Sequence, residues 1–235
     1  MPKTGLDMQR PPEVILFDVG NTLLFPNWPR ILAPLRARGV WPGPTELQAI
    51  ERKTKRQFDQ EMVKGQGKVD HSFWETFYTY LLNSVGLPDA DLRQKLMQAT
   101  HTSANWDIVQ PDTREILQRI AQRFRIGVIS NADGKIDKVL KVCGIGDCFL
   151  NITDSGIVGH EKPHPVIFAA ALGKMKAPAE HALYVGDVYS VDYIGATKVG
   201  MQAILMDLAG AYRDDGLPRV ESLPELEMIL AQAYR

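Results

Sequence analysis

Asp18 lies in EVILFDVGNTLL (residues 13–24), which carries one acid from an apolar run into a tight polar turn. Val14–Phe17 reads as a strand buried on both faces, and Gly20 with Asn21 breaks it. An acid at the carboxyl end of such a strand stands where open α/β sheets place their ligands. Asp18 is therefore a candidate nucleophile or metal ligand; as a purely structural residue it would cap the turn, with Asn21 and Thr22 bonding locally. Three more polar clusters follow apolar runs. Ser130 and Asn131 come after IGVI and precede ADGK and a helix, placing a hydroxyl and an amide beside helical N–H groups that favour an anion. Lys162 stands directly before Pro163 in GHEKPHPVIF, at a helix entrance. In GDVYSVD, Asp187 ends the run ALYVG and Asp192 lies five residues on, an acid pair able to bind Mg²⁺ through oxygen. Singly, each has a bland reading: turn and cap residues for Ser130 and Asn131, solvated surface for Lys162, a helix N-terminus for Asp192.

The elements that must position these groups differ along the chain. From residue 28 to about 104 the signals are helical. Thr45 with Gln48 and Ser72 with Glu75 fit capping boxes, and Asp89 can cap a third helix. After Trp106 helices alternate with buried strands: RIGVIS, CFLNIT, HALYVGD and MQAILM are the strand candidates. Together with Val14–Phe17 they predict an α/β fold with five parallel strands covered by helices. A closing helix is capped by Ser222 with Glu225 three residues on. The helical stretch is then an insertion after the first strand.

Composition narrows the function. The chain has 235 residues, 45% apolar and 23% charged, with a formal net charge of −1, which argues against disorder and against a whole-surface nucleic-acid footprint. An anionic ligand must be bound locally. The first ten residues lack an apolar core and no 18-residue apolar run occurs, so neither a secretory signal nor a membrane span is expected, and the expected location is the cytoplasm. Cys143 and Cys148, in CGIGDC, match no common zinc or redox spacing and read as reduced structural residues.

Taken in order, Asp18-x-x-x-Thr22, Ser130, Lys162 and GDxxxxD resemble the haloacid dehalogenase superfamily of hydrolases, over essentially the whole chain. The resemblance implies a Rossmann-like core from residues 1–25 and 105–235 and a mobile helical C1 cap from 26–104. It implies Asp18 as nucleophile, forming an aspartyl-phosphate that water hydrolyses. Mg²⁺ would be held by Asp18, Asp187 and the Gly20 carbonyl, with Asp192 binding directly or through water. Ser130, the Asn131 backbone and Lys162 would hold the phosphoryl oxygens; Thr22 would order the loop, and Gly186 would let the chain pass close to the metal. Dehalogenating members typically lack the GDxxxxD acids and carry an aromatic two positions after the nucleophile, so a phosphatase acting on a small phosphorylated compound is expected. No nucleic-acid or membrane partner is.

One position departs from the family. Phosphatases of this kind read DxDxT, and the second aspartate protonates the leaving alcohol and later activates water; here that position is Gly20. Losing such assistance costs ~10²–10⁴-fold in rate. The replacement admits a good leaving group such as an aryl or acyl phosphate, a substitute donor from the cap or from His160 or His164, or a catalytically weak ligand-binding or regulatory protein. It also admits a phosphonate hydrolase using a cap lysine as a Schiff-base amine. Lys53, Lys55, Lys64 and Lys68 lie in the cap segment, where a solvated helical face is expected for each, as for the whole basic stretch at residues 51–56. Phe73, Trp74, Phe77, Tyr78 and Tyr80 are expected to pack the cap helices.

Overall fold

The computed structural model describes residues 11–65 and 69–234. Its strands, in chain order, are β1 (Val14–Phe17), β2 (Leu24–Phe25), β3 (Ile108–Val109), β4 (Arg125–Ser130), β5 (Asn151–Asp154), β6 (Ala182–Gly186), β7 (Gln202–Met206) and β8 (Arg219–Val220). Helices α1 (Trp28–Ile31), α2 (Ala33–Arg36), α3 (Pro44–Val63), α4 (Val69–Ser84) and α5 (Ala90–Thr100) lie between β2 and β3. The remainder are α6 (Thr113–Ala121), α7 (Ile136–Val142), α8 (Ser155–Val158), α9 (Pro165–Met175), α10 (Ile194–Lys198) and α11 (Leu223–Ala233).

Among the described residues, six strands form one parallel sheet in the order β5-β4-β1-β6-β7-β8. This is a Rossmann-like α/β fold. Alternation along each strand divides the core in two. Ile15, Phe17, Val128 and Val185 face α6, α7 and α11, whereas Val14, Leu16, Ile129 and Tyr184 face α9 and α10. With helices on both faces the strands need no polar side, which is why β1 is buried throughout. Placing β1 between β4 and β6 brings the residues that follow these three strands to one edge.

The helices between β2 and β3 have their own core, built by Leu35, Leu47, Ile50, Phe77, Tyr78, Leu81 and Leu96. Their two chain crossings are clamped by antiparallel pairing of Leu24 with Val109 and Phe25 with Ile108.

Local signals met mixed outcomes. Asp89 accepts from the Leu92 N–H at 2.9 Å, and Ser222 from the Glu225 N–H at 3.3 Å, as read from sequence. The Thr45 box is not formed: Pro44 opens α3 behind Gly43, and no side chain caps it. Ser72 lies inside α4, which starts at Val69. Only the latter part of CFLNIT is strand, because a 3₁₀ turn occupies Gly146–Cys148. The sixth sheet strand, β8, has two residues, too few for periodicity to reveal.

Candidate active site

The β1 end delivers Asp18, whose backbone N–H donates to the Val185 carbonyl at 2.7 Å. Ser130 ends β4, and Asp187 follows β6. Between them Lys162, 2% exposed, reaches in from the loop before α9. Its ammonium donates to Asp18 Oδ1 at 2.5 Å, Asp192 Oδ1 at 2.8 Å and the Tyr184 hydroxyl at 2.8 Å. Carboxylate oxygens of Asp18, Asp187 and Asp192 lie within 4.8 Å of one another. A cavity of about 320 Å³ opens beside them, lined also by Gly20, Ser130 and Asn131.

The loops are held by side chains with defined tasks. The Asn131 amide brackets the Lys162 peptide: its Oδ1 accepts from Lys162 N at 2.7 Å and its Nδ2 donates to Lys162 O at 3.1 Å. Its side chain therefore positions the lysine, whereas the sequence reading sets this amide beside a bound anion. Asp192 Oδ2 accepts from the N–H groups of Asp187 and Val188 at 3.1 and 2.9 Å, closing the turn after β6. A Cβ at Gly186 would sit 2.5 Å from the Asp192 carboxyl carbon, so only glycine permits that approach. The expected loop-ordering bond from Thr22 is not made. Its hydroxyl is buried and finds no hydrogen-bond partner among the described residues; main-chain bonds from Leu23 and Leu24 to the Val19 carbonyl close the loop instead.

Lys55 corrects the reading of the cap lysines. Lys53 and Lys64 are exposed, and Lys68 lies outside the described residues, but Lys55 is 1% exposed and pairs with Glu51 at 2.9 Å and Asp187 at 2.8 Å. The stretch at 51–56 is solvated only in part: Arg52 and Lys53 are exposed, whereas Thr54 and Lys55 are buried. Gln48 and Arg52 donate to the carbonyls of Leu208 and Ala209, Arg56 pairs with Asp215, and Asp59 accepts from Ser190 N and the Tyr212 hydroxyl. Positions 48, 52, 55 and 59 share one side of a helix. That side is polar because it docks on polar groups of the sheet domain, a pattern that sequence cannot tell from contact with water.

Two further site residues escaped the sequence reading. Tyr184 resembles any core aromatic of ALYVG, yet its hydroxyl meets Lys162 and Asp192. Trp106 covers Gly20: a Cβ added there would lie 3.3 Å from its ring, so the indole crowds the space an aspartate would enter. Neither His160 nor His164 is among the described residues lining the cavity; the two rings stack on each other, and His164 caps α9.

Burial dominates the electrostatics. It drives the Asp18 carboxyl up to about 7; Lys162 opposes the rise, and Asp192 and Asp187 add to it. Burial likewise lifts Asp187 to about 6 against the pull of Lys55. Burial alone would depress both ammoniums, but Asp18 and Asp192 hold Lys162, and Asp187 and Glu51 hold Lys55, protonated above the usual lysine range. Four carboxylates thus face two ammoniums. All-oxygen donors and surplus negative charge suit a hard divalent cation such as Mg²⁺.

An open parallel sheet that gathers acids, a lysine and a hydroxyl at its carboxyl edge, with helices inserted after the first strand, defines an α/β enzyme of Rossmann-like class. The chain belongs to the haloacid dehalogenase-like hydrolases, whose family model matches residues 12–200. It is 30% identical over 204 residues to the haloacid dehalogenase-like hydrolase domain-containing protein 3 of Xenopus laevis, covering 82% of this chain and 83% of that one. It is also 30% identical over 150 residues to a glyceraldehyde 3-phosphate phosphatase of Methanothermobacter thermautotrophicus, covering 61% and 66%. The fold matches the magnesium-bound HAD-hydrolase YfnB of Bacillus subtilis with a TM-score of 0.68 at 21% identity, over 94% of this chain and 99% of that one. No described helix is long and apolar enough to cross a membrane.

An acid whose pKa is raised on folding binds more protons folded than unfolded, so stability falls as pH rises through that window. The melting temperature in EDTA is expected to drop between pH 5 and 8, with a gain on adding Mg²⁺ that grows with pH; a gain that shrinks as pH rises would contradict it. Lys55→Met strands Asp187 and Glu51, and urea titration in EDTA is expected to show a loss of about 3 kcal/mol, partly recovered by Mg²⁺. Unchanged stability in EDTA would remove the assigned role of Lys55.

Proposed function

We propose that this chain is a Mg²⁺-dependent phosphatase that cleaves a small phosphorylated compound through an aspartyl-phosphate on Asp18. The observation that carries the reading is the buried cluster of Asp18, Asp187 and Asp192 with Lys162 at the cavity floor. Such a floor suits a phosphoryl group, which brings negative charge to a negatively charged nucleophile and so needs more cation than a neutral organohalide. Asp18, Asp187 and the Gly20 carbonyl would hold Mg²⁺, which would neutralise charge between nucleophile and phosphate. Asp192 is already committed to Lys162 and to two backbone N–H groups, which suits an organising role or a water-mediated contact.

In this mechanism Asp18 attacks phosphorus while Lys162 and Ser130 hold the phosphoryl oxygens, and water then releases phosphate from Asp18. Asn131 keeps Lys162 in place, and the helices between β2 and β3 act as the cap that shields the cavity. The phosphatase-named relative supports phosphate-ester chemistry. The phosphonate alternative is weakened at Lys55: a Schiff base needs a neutral amine, and this amine is held as an ammonium by two carboxylates. Gly20 beneath Trp106 favours a second reading, a ligand-binding protein with feeble turnover.

A substrate screen over phosphate esters, acyl phosphates and phosphonates, with metal titration, separates these readings. Mg²⁺-dependent phosphate release is expected, falling at least ~10³-fold in folded Asp18→Asn. Phosphate-analogue binding without turnover would favour the binding protein, and activity retained by Asp18→Asn would remove the nucleophile assignment.

A further inference from the structure

The cavity beside Asp18 has two unlike parts. Asp18, Ser130, Asn131 and Lys162 make the polar one. The other is an aromatic wall starting at Gly20, where Trp106 contacts Trp74 at 5.7 Å between ring centroids, Trp74 contacts Phe73 at 5.1 Å, and Phe73 contacts Phe58 at 5.5 Å. All four rings line the cavity. Trp106 is fixed in place, its indole N–H donating to the Thr100 carbonyl at 2.8 Å. Successive rings meet edge to face, at 67°, 78° and 79°, so the lining offers an apolar group a mosaic of ring edges and faces, with the Trp106 ring lying against Gly20.

Charge narrows the choice. Lys162 is the sole lysine or arginine among the described lining residues, and Asp18 and Asp192 already engage it. A second anionic group on the substrate would meet Asp133 and Glu161 instead of a cation. Proton supply narrows it further. Gly20 carries no acid, and Asp133 accepts from the Ser103 hydroxyl at 2.6 Å and pairs with Lys135 at 3.6 Å, an arrangement that favours its ionised form. The one lining imidazole among the described residues, His101, is exposed.

We propose that the substrate is an aryl phosphate, the phosphate monoester of an aromatic hydroxyl lacking a second anionic group. This rests on the phosphatase reading above. Asp18 attacks phosphorus, the phosphorus–oxygen bond to the aryl group breaks, and the phenolate leaves with the bonding pair. It then takes a proton from solvent, while water attacks the aspartyl-phosphate and frees inorganic phosphate. A phenol has a pKa of about 10, well below that of an aliphatic alcohol, so phenolate departs without the acid that an alkoxide requires. An aryl leaving group thus makes an acid at Gly20 dispensable in the first displacement, and its ring suits the indole that covers Gly20.

The test measures kcat/KM of the full chain with Mg²⁺ on 2-naphthyl phosphate, benzyl phosphate, glycerol 3-phosphate and acetyl phosphate. Naphthyl phosphate is expected to exceed benzyl and glycerol 3-phosphates by ~10²-fold or more, with benzyl phosphate still a competitive inhibitor. In Trp106→Ala the naphthyl-to-acetyl ratio of kcat/KM is expected to fall ~10-fold, and Trp106→Phe to keep most of it. Benzyl phosphate turning over as fast as naphthyl phosphate would mean that the cavity supplies a proton, with His101 the first suspect, and would overturn the proposal. A preference for glycerol 3-phosphate, or an unchanged ratio in Trp106→Ala, would overturn it equally. In either case Mg²⁺-dependent hydrolysis of acetyl phosphate would leave the phosphatase reading standing. Failure on all three esters and on acetyl phosphate would remove both.

Discussion

Three carboxylates held out of water within a few ångströms of one another are the constraint on which this molecule turns. Buried charges of one sign are costly unless cations or donors meet them. Lys162 offsets part of the cost by bridging Asp18 and Asp192, and its own place depends on the Asn131 amide and the Tyr184 hydroxyl. What remains unmet is the reason Asp18 and Asp187 keep their protons to unusually high pH, and the reason the site is suited to a divalent ion. Stability and chemistry therefore draw on the same groups.

The helical segment takes part in this balance. Lys55 extends from α3 to Asp187, and Gln48, Arg52 and Asp59 on the same side hold carbonyl, amide and hydroxyl groups of the loops after β6 and β7. Glu51 is a second partner for Lys55, so the lysine is anchored within its own helix before it reaches the sheet domain. Docking of α3 and the electrostatics of Asp187 are in this way one interaction. The same helix supplies Phe58 to the aromatic wall, which ties the shape of the cavity to that docking.

The sheet was legible because β1, β4 and β6 are uninterrupted apolar runs that end at Asp18, Ser130 and Asp187, and a doubly covered parallel strand has no other pattern. Of the residues expected at the site, Asp18, Ser130, Asn131 and Asp187 are brought together because the topology sends the ends of adjacent strands to one edge, whereas Lys162 comes from the loop before α9, held by the Asn131 amide, and Asp192 from the turn after β6. Thr22 is close by, but main-chain bonds do the ordering expected of its hydroxyl. Lys55 was not legible, since a polar helical stripe looks alike whether it meets water or a carbonyl-lined edge. Trp106 was hidden for a different reason. Gly20 records that a side chain is missing, and only the fold reveals which ring moves over the gap.

The claim that joins these observations is that Asp18 itself receives the phosphoryl group. Acid quenching of the full chain during turnover of acetyl phosphate with Mg²⁺, followed by peptide mapping by mass spectrometry, tests it most directly. The account predicts a single phosphoryl group on the peptide containing Asp18, absent when EDTA replaces Mg²⁺. Turnover with that peptide unmodified, or with the phosphoryl group on another residue, would contradict it.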